Sequence, residues 1–303
     1  MILDSMTWYE QVTYGFAYSF HMPLFVAISG YLFYLTRISP VKEDGTRKWS
    51  WGEIMKDKLI RLGIPFFVFT IIAMVMKALF PGDMQRPVNI SLMTVWNAII
   101  YPGNGPLGEL WFVGVLLWMF ALSPIWICVL QKKNYAMITG IILVILHFIP
   151  VKVDLLCVGL AASYAVWFYA GMAACKWMPE ISGGGWIILL VGAIAYGVAD
   201  VLDLAFIKSF TAIVASYGLA LSLDKMVPKI FSSFRNYTYQ IFLMGIFAQI
   251  AVKMLFRRIE MPHLIAFIVC IVVGLYFPVL VSKIVEVINN KWLCLCIGLK
   301  KKV

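Results

Sequence analysis

The chain has 303 residues, of which 62% are hydrophobic and only 13% are charged, and its mean hydropathy is +0.90. A soluble domain carries about 45–50% apolar and about 25% charged residues. The excess of apolar residues excludes a soluble globular protein, because the interior of a protein of this length is too small to bury so many apolar side chains. The formal charge of +10 does not indicate nucleic-acid binding, since no stripe of basic and aromatic residues lies outside the short loops.

Nine apolar segments are long enough, or nearly so, to cross a bilayer, which takes about 20 residues for about 30 Å of hydrocarbon. They are residues 14–36, 62–80, 110–130, 136–150 (short), 155–175, 186–201, 205–223, 237–256 and 263–285. The sequence therefore predicts an all-α, polytopic transmembrane helical bundle of about nine spans. The loops leave no room for a soluble domain, so we expect residues 1–303 to form a single integral membrane domain.

The basic residues predict the orientation of these spans. With nine spans, the loops that follow the odd-numbered spans share one side, and they carry 17 of the 25 lysines and arginines. The N-terminus and the other loops carry 7. By the positive-inside rule, the first group is cytoplasmic, which places the N-terminus outside and the C-terminus inside. Arg257 and Arg258 are a local exception to this pattern.

Cysteine spacing gives no indication of a metal centre. The six cysteines, at positions 128, 157, 175, 270, 294 and 296, form no C-x-x-C or Cys/His pattern. We interpret the C-x-C of Cys294 and Cys296 as inert, and we expect no bound metal.

His21 is the clearest candidate for chemistry, because ionisable residues at membrane depth are costly and often functional. It lies about seven residues inside the first span, or roughly 10 Å at 1.5 Å per residue. Pro23, two residues later, removes a backbone donor and frees a carbonyl near the imidazole. His21 could be a general base that takes a proton from a hydroxyl, or an interfacial histidine bonded to a neighbouring helix. His147 and His263 are better interpreted as interface residues.

Two further sets of residues are candidates for binding. Lys58 and Arg61 lie three apart on one helix face at the cytoplasmic end of the second span, where they could hold phosphates or a carboxylate. Ordinary positive-inside anchoring is the alternative. Glu109 and Trp111 follow a Gly/Pro-rich outer loop and could form a sugar-binding rim, with an aromatic stacking face and a hydroxyl acceptor. An aromatic-belt Trp beside a solvated Glu is the alternative.

Several motifs resemble those of the membrane acyltransferase-3 family, in particular its branch of fucose 4-O-acetylase-like and exopolysaccharide O-acetyltransferases. The most specific is H-x-P-L-F-x-x-x-S-G within residues 20–31 (FHMPLFVAISGY). The supporting stretches are residues 58–66 (KLIRLGIPF), 110–113 (LWFV), 167–172 (WFYAGM) and 235–244 (RNYTYQIFLM). Their order and spacing resemble the family over nearly the whole chain.

The resemblance implies transfer of an acyl group, usually acetyl, from cytoplasmic acyl-CoA to a hydroxyl of a cell-surface or lipid-linked glycan. It implies a bacterial inner (plasma) membrane location, with acyl-CoA as co-substrate and the lipid bilayer and the glycan acceptor as partners. His21 then matches a family histidine near the acceptor side. Lys58 and Arg61 match the family's basic stretch and become candidates for holding the donor's phosphates.

The sequence departs from this family pattern in two places. Members usually have ten spans, and the first ends in Gly-His, whose histidine is the expected base; that span is absent here. Gly245 also stands where relatives often have histidine. We therefore expect the chain to be N-terminally shortened, with its missing span encoded upstream.

Two other classes of function remain open at this stage. A multi-span transporter or exporter of a glycan or small molecule also fits many spans with broken helices. Against it, no internal repeat relates the two halves, and the best ion-coupling candidates, Asp200 and Asp203, lie near a predicted turn. An inactive relative that serves as a binding or scaffold protein is the third interpretation.

Overall fold

The computed structural model describes residues 8–39, 50–80, 91–178, 183–227, 229, 231–259 and 262–299, and the regular secondary structure of this part of the chain is helical. In chain order, the helices are α1 (Trp8–Phe33), α2 (Trp51–Lys58), α3 (Ile64–Leu79), α4 (Leu92–Ile100), α5 (Trp111–Ala121), α6 (Ser123–Val129), α7 (Lys133–Phe148), α8 (Val158–Trp177), α9 (Gly185–Val201), α10 (Ala205–Met226), α11 (Thr238–Ile259), α12 (His263–Ile288) and α13 (Lys291–Cys296). Two π-helical turns, Tyr34–Ile38 and Leu59–Gly63, follow α1 and join α2 to α3.

The predicted all-α polytopic bundle is confirmed. Within the described residues, six helical segments are long and apolar enough to cross a membrane. The helices α5 and α6 pass the same test only as a pair, and the pair is bent by 54° at Leu122. Pro124 accounts for this break, since proline cannot donate to the helical ladder. The remaining two predicted spans correspond to α7 and α9, which have 16 and 17 residues.

The described chain divides into two compact units. Unit 1 consists of Met1–Trp49, Leu122–Val151 and Ala161–Ile230, and unit 2 of Ser50–Ala121, Lys152–Leu160 and Phe231–Val303. The candidate residues divide between them: His21 belongs to unit 1, whereas Lys58, Arg61, Glu109 and Trp111 belong to unit 2.

Unit 1 is held together by close approaches between helix backbones. A Cβ added to Gly30 of α1 would lie 2.0 Å from the carbonyl oxygen of Phe168 in α8. A Cβ added to Gly171 of α8 would lie 1.9 Å from the carbonyl oxygen of Ala27 in α1. In lipid, the hydrophobic effect does not drive helices together. Small residues instead let two helix backbones approach closely, so that the helices gain van der Waals contact. The two glycines therefore let α1 and α8 pack backbone against backbone.

Unit 2 has an apolar core to which the α2–α3 segment, the loop before α5, and helices α5, α11, α12 and α13 contribute. Phe66 and Phe69 of α3 lie in this core with Leu107, Leu110 and Leu243. The C-terminal segment joins it through Cys294 and Ile297, which are 2% and 9% exposed. The segment after α13 thus packs in the same core as α3, next to the π-helical turn that carries Arg61.

Candidate functional site

The cationic part of the candidate site lies on a π-helical turn, Leu59–Gly63, between α2 and α3. Pro65 is the second residue of α3 and has no N–H to donate to the carbonyl of Arg61, four residues earlier. The ordinary i to i−4 ladder is therefore interrupted at Arg61, and the helix takes a wider turn. Such π-bulges occur frequently at functional sites.

Arg61 presents its charge in a half-exposed position. Its side chain is 38% exposed, and its guanidinium lies 3.9 Å from the carboxylate of Asp57, one helical turn earlier. An ion pair of this length and exposure contributes little to stability. The Nε of Arg61 is buried and has no hydrogen-bond partner among the described residues, whereas the exposed part of the guanidinium can meet an anion.

Lys58 lies one turn before Arg61 and packs on an aromatic ring of the same unit. Its Nζ is 4.1 Å from the centroid of the Phe120 ring in α5, within the range of a cation–π interaction. The indole nitrogen of Trp51 donates to the carbonyl of Ala121, at 3.0 Å. These contacts hold the basic start of the second span against the end of α5.

Tyr239 is a neighbour of the Arg61 turn that the sequence did not single out, although it lies within the resembling stretch 235–244. Its hydroxyl donates to the carbonyl of Leu62, at 3.4 Å. Its ring stacks on that of Phe242, which in turn packs edge-on against Phe112 at 5.2 Å. Three of the resembling stretches (58–66, 110–113 and 235–244) therefore come together in unit 2.

Glu109 lies in the short 3-10 turn Gly108–Leu110, and Trp111 is the first residue of α5, which follows it directly. Leu107 and Leu110 are 7% and 2% exposed and belong to the same core as Phe66 and Phe69. Glu109 and Trp111 themselves are partly buried. The Gly/Pro-rich loop is thus anchored on α3, and the role of these two residues in acceptor binding stays a prediction.

Another turn in unit 2 carries backbone strain that the sequence did not indicate. Leu156 and Cys157 both adopt left-handed conformations, with φ of 49° and 60°, which cost non-glycine residues energy and cluster at functional sites. The indole of Trp118 donates to the carbonyl of Leu156 at 2.8 Å, and Cys157 is buried against Gly114. No Gly or Asn marks this turn, so composition gave no signal for it.

His21 lies in α1 of unit 1 with a defined hydrogen bond. Its Nδ1 is 2.9 Å from the carbonyl oxygen of Ala17, one turn earlier. Because a carbonyl can only accept, Nδ1 carries the proton, and Nε2 is the nitrogen that can accept one. The carbonyl freed by Pro23 is that of Ser19, and it accepts a hydrogen bond from the hydroxyl of Ser209 in α10 at 2.6 Å.

Aromatic side chains that the sequence did not single out line α1 beside His21. The ring of Tyr18 meets the imidazole edge-on at 4.8 Å, and Tyr14 stacks on Tyr18 at 3.8 Å. Both tyrosines are exposed, at 41% and 57% for Tyr14 and Tyr18. Their i, i+4, i+7 spacing with His21 was the signal available in the sequence, since residues at this spacing share one helix face.

Two other residues weighed from the sequence, His147 and Asp200, have ordinary partners. The Nδ1 of His147 donates to the carbonyl of Ser163 at 2.7 Å, and its ring packs on Phe206. Asp200 pairs with Lys208 at 2.5 Å. In the described part of the chain, no three His, Cys, Asp or Glu residues are grouped to hold a metal ion, and the six cysteines are free thiols.

Comparison with known proteins places nearly the whole chain in one family. A family model described as an acyltransferase domain matches residues 2–283, a range that includes all five candidate residues. Neither a search of curated proteins nor a search of solved structures found a match.

Proposed function

The chain belongs to the acyltransferase-3 family and is a multi-pass membrane acyltransferase, and from this membership we propose that it is an O-acetyltransferase of the bacterial inner membrane. The donor is acetyl-CoA from the cytoplasm, and the acceptor is a hydroxyl of a cell-surface or lipid-linked glycan. The observation that carries the donor assignment is the half-exposed guanidinium of Arg61, to which Lys58, one turn earlier, adds a second cation.

Donor binding follows from the chemistry of coenzyme A. Its phosphates carry several negative charges and many acceptor oxygens, which an arginine fork and a lysine ammonium bind through charge-assisted hydrogen bonds. The Arg61 turn sits at the end of the second span that the positive-inside rule assigns to the cytoplasm. This is the compartment in which acyl-CoA is available.

In the acyl-transfer step, His21 acts as the general base. The unprotonated Nε2 takes the proton of the glycan hydroxyl while the hydroxyl oxygen attacks the carbonyl carbon of the thioester. The new C–O ester bond forms, the C–S bond breaks, and the imidazolium returns the proton to the leaving coenzyme A thiolate. Glu109 and Trp111 are proposed to bind the sugar, through a hydroxyl acceptor and a stacking face.

The test is acetyl transfer by the purified full-length chain in proteoliposomes, with acetyl-CoA and a panel of octyl glycosides as lipid-anchored sugar probes. We expect acetylated glycoside by mass spectrometry, with coenzyme A released in equal amount. Arg61→Met should raise the KM for acetyl-CoA by about tenfold, corresponding to about 1.4 kcal/mol of lost binding. Lys133→Met, which removes an exposed cation from the same predicted side, is the matched control.

Two outcomes would overturn this proposal. Equal kinetics for Arg61→Met and Lys133→Met would remove Arg61 from donor binding. Glycoside flux across the liposome membrane in the absence of acyl-CoA, without acetylation, would favour the transporter interpretation. The pairing of Asp200 with Lys208 gives that interpretation no support, because it neutralises one of the two best ion-coupling candidates.

A further inference from the structure

The C-terminal segment of the chain is folded onto the Arg61 turn. Asn290 caps α13, its side-chain oxygen accepting from the backbone N–H of Trp292 at 2.9 Å. The short helix then places Cys294 and Ile297 in the core of unit 2. Capping and burial thereby hold residues 289–299, which follow α12, in unit 2.

A buried amide holds the segment after α13. Gln240 of α11 is 3% exposed, and its Nε2 donates to the carbonyl of Ile297 at 2.9 Å. A polar group that is buried this deeply requires its hydrogen bond, because without one it would lose its hydration uncompensated. The bond therefore ties the tail to the helix that also carries Tyr239.

Gly298 fills a space in which no side chain fits. Its φ of +72° is in the left-handed region, which glycine adopts without steric cost. A Cβ at this position would lie 2.7 Å from the ring of Tyr239 and 3.1 Å from the carbonyl oxygen of Arg61. Pro65 leaves this same carbonyl without its usual helical donor. The segment that contains Gly298 therefore packs directly on the irregular part of the turn Leu59–Gly63.

We infer that Gln240 and Gly298 are positioning residues for donor binding. They hold the segment after α13 and the ring of Tyr239 against the π-helical turn Leu59–Gly63. This packing fixes the direction in which the Arg61 guanidinium meets the phosphates of coenzyme A. This inference rests on the proposed donor site at Arg61. A wide helical turn that lacks one backbone bond has more than one accessible geometry, and packing on both sides selects one of them.

The experiment is a double-mutant cycle on the affinity of the purified full-length chain for coenzyme A, measured by isothermal titration calorimetry in nanodiscs. In the wild-type background, Gly298→Ala should weaken binding about tenfold, or about 1.4 kcal/mol. In an Arg61→Met background, the same substitution should change the affinity little, since the contact that it misdirects is already gone. Gln240→Met removes the hydrogen bond from the side-chain amide to Ile297 without straining the backbone. It should likewise weaken binding in the wild-type background and change it little in the Arg61→Met background.

Gly184→Ala is the matched control, because Gly184 also has a positive φ, of +73°, but a Cβ there would contact nothing within 4 Å. It imposes the same kind of backbone strain in unit 1 and should leave coenzyme A affinity unchanged. If the wild-type chain binds no coenzyme A, the proposed function fails. If it binds but Gly298→Ala and Gln240→Met behave like the control, or weaken binding equally in both backgrounds, only the positioning role is overturned.

Discussion

At the scale of single residues, the bonding of His21 determines which chemistry it can perform. The proton on Nδ1 is committed to the carbonyl of Ala17, which leaves Nε2 as the basic nitrogen and fixes the ring against α1. This is the role that second partners play for catalytic histidines generally, since they set the tautomer and the orientation. His147 has a similar backbone bond, to Ser163, so the bond alone does not make a histidine catalytic.

This similarity provides a controlled test of His21. In His21→Asn, the side-chain amide can still donate a hydrogen bond to the Ala17 carbonyl, but the basic Nε2 is removed. We expect kcat for acetyl transfer to fall by roughly 10²–10⁴-fold, the usual contribution of a general base, with an unchanged melting temperature. His147→Asn makes the same chemical change at a structural site and should retain kcat per folded molecule. Wild-type kcat in His21→Asn would show that another group takes the proton.

Prolines within the spans show how a residue-scale signal becomes a tertiary contact. Pro23, Pro65 and Pro278 each leave the carbonyl four residues earlier without its helical donor. The freed carbonyl of Ser19 accepts a hydrogen bond from the hydroxyl of Ser209. The freed carbonyl of Arg61 lies close to Gly298. The freed carbonyl oxygen of Gly274 would lie 3.0 Å from a Cβ added to Gly245. The sequence predicted the irregularity at Pro23, but which helix would supply the partner depends on packing that is not encoded locally.

At the scale of helices, the resembling stretches are explained by their contacts within each unit. Residues 20–31 meet 167–172 through Gly30 and Gly171, and residues 58–66, 110–113 and 235–244 meet around Phe112, Tyr239 and Phe242. Apolar runs were sufficient to locate the six helical segments that are long enough to span a membrane, because a span takes about 20 residues. The contacts between them were not predictable, since apolar surface faces both lipid and protein in a membrane and burial leaves no pattern.

The pair of glycines between α1 and α8 gives a stability prediction for this contact. Gly30→Ala and Gly171→Ala each place a methyl about 2 Å from a backbone carbonyl, which the helices can accommodate only by separating. We expect each to destabilise the chain by about 1–3 kcal/mol, as overpacked substitutions do, and to lower the melting temperature in detergent.

Gly197 of α9 is the control for this test, since a Cβ there meets nothing within 4 Å. In a helix interior, Gly→Ala gains up to about 1 kcal/mol from propensity alone, so Gly197→Ala should melt at the same temperature or slightly higher. Unchanged melting of Gly30→Ala and Gly171→Ala would mean that the two helices are not in backbone contact in the membrane.

At the scale of the whole molecule, the orientation of the later spans depends on the two short helices. At 1.5 Å per residue, the 16 residues of α7 reach about 24 Å, less than the hydrocarbon thickness of about 30 Å. A short helix can still cross, because the bilayer thins locally and flanking residues extend to the interface. If α7 alone did not cross, every later loop would change sides, and Lys291 with the three C-terminal lysines at positions 300–302 would face outward against the positive-inside rule.

Cysteine labelling across α7 tests this directly. In a chain whose six natural cysteines are replaced, Lys133→Cys and Lys152→Cys place one thiol on either side of the helix. We expect a membrane-impermeant maleimide to label position 152 in intact spheroplasts and position 133 only after the membrane is permeabilised. The charge distribution predicts this outcome, because the loop with Lys132 and Lys133 belongs to the strongly basic group whereas Lys152 does not. Labelling of both positions from one side would mean that α7 does not cross the membrane, and every loop after it would then lie on the side opposite to the one predicted.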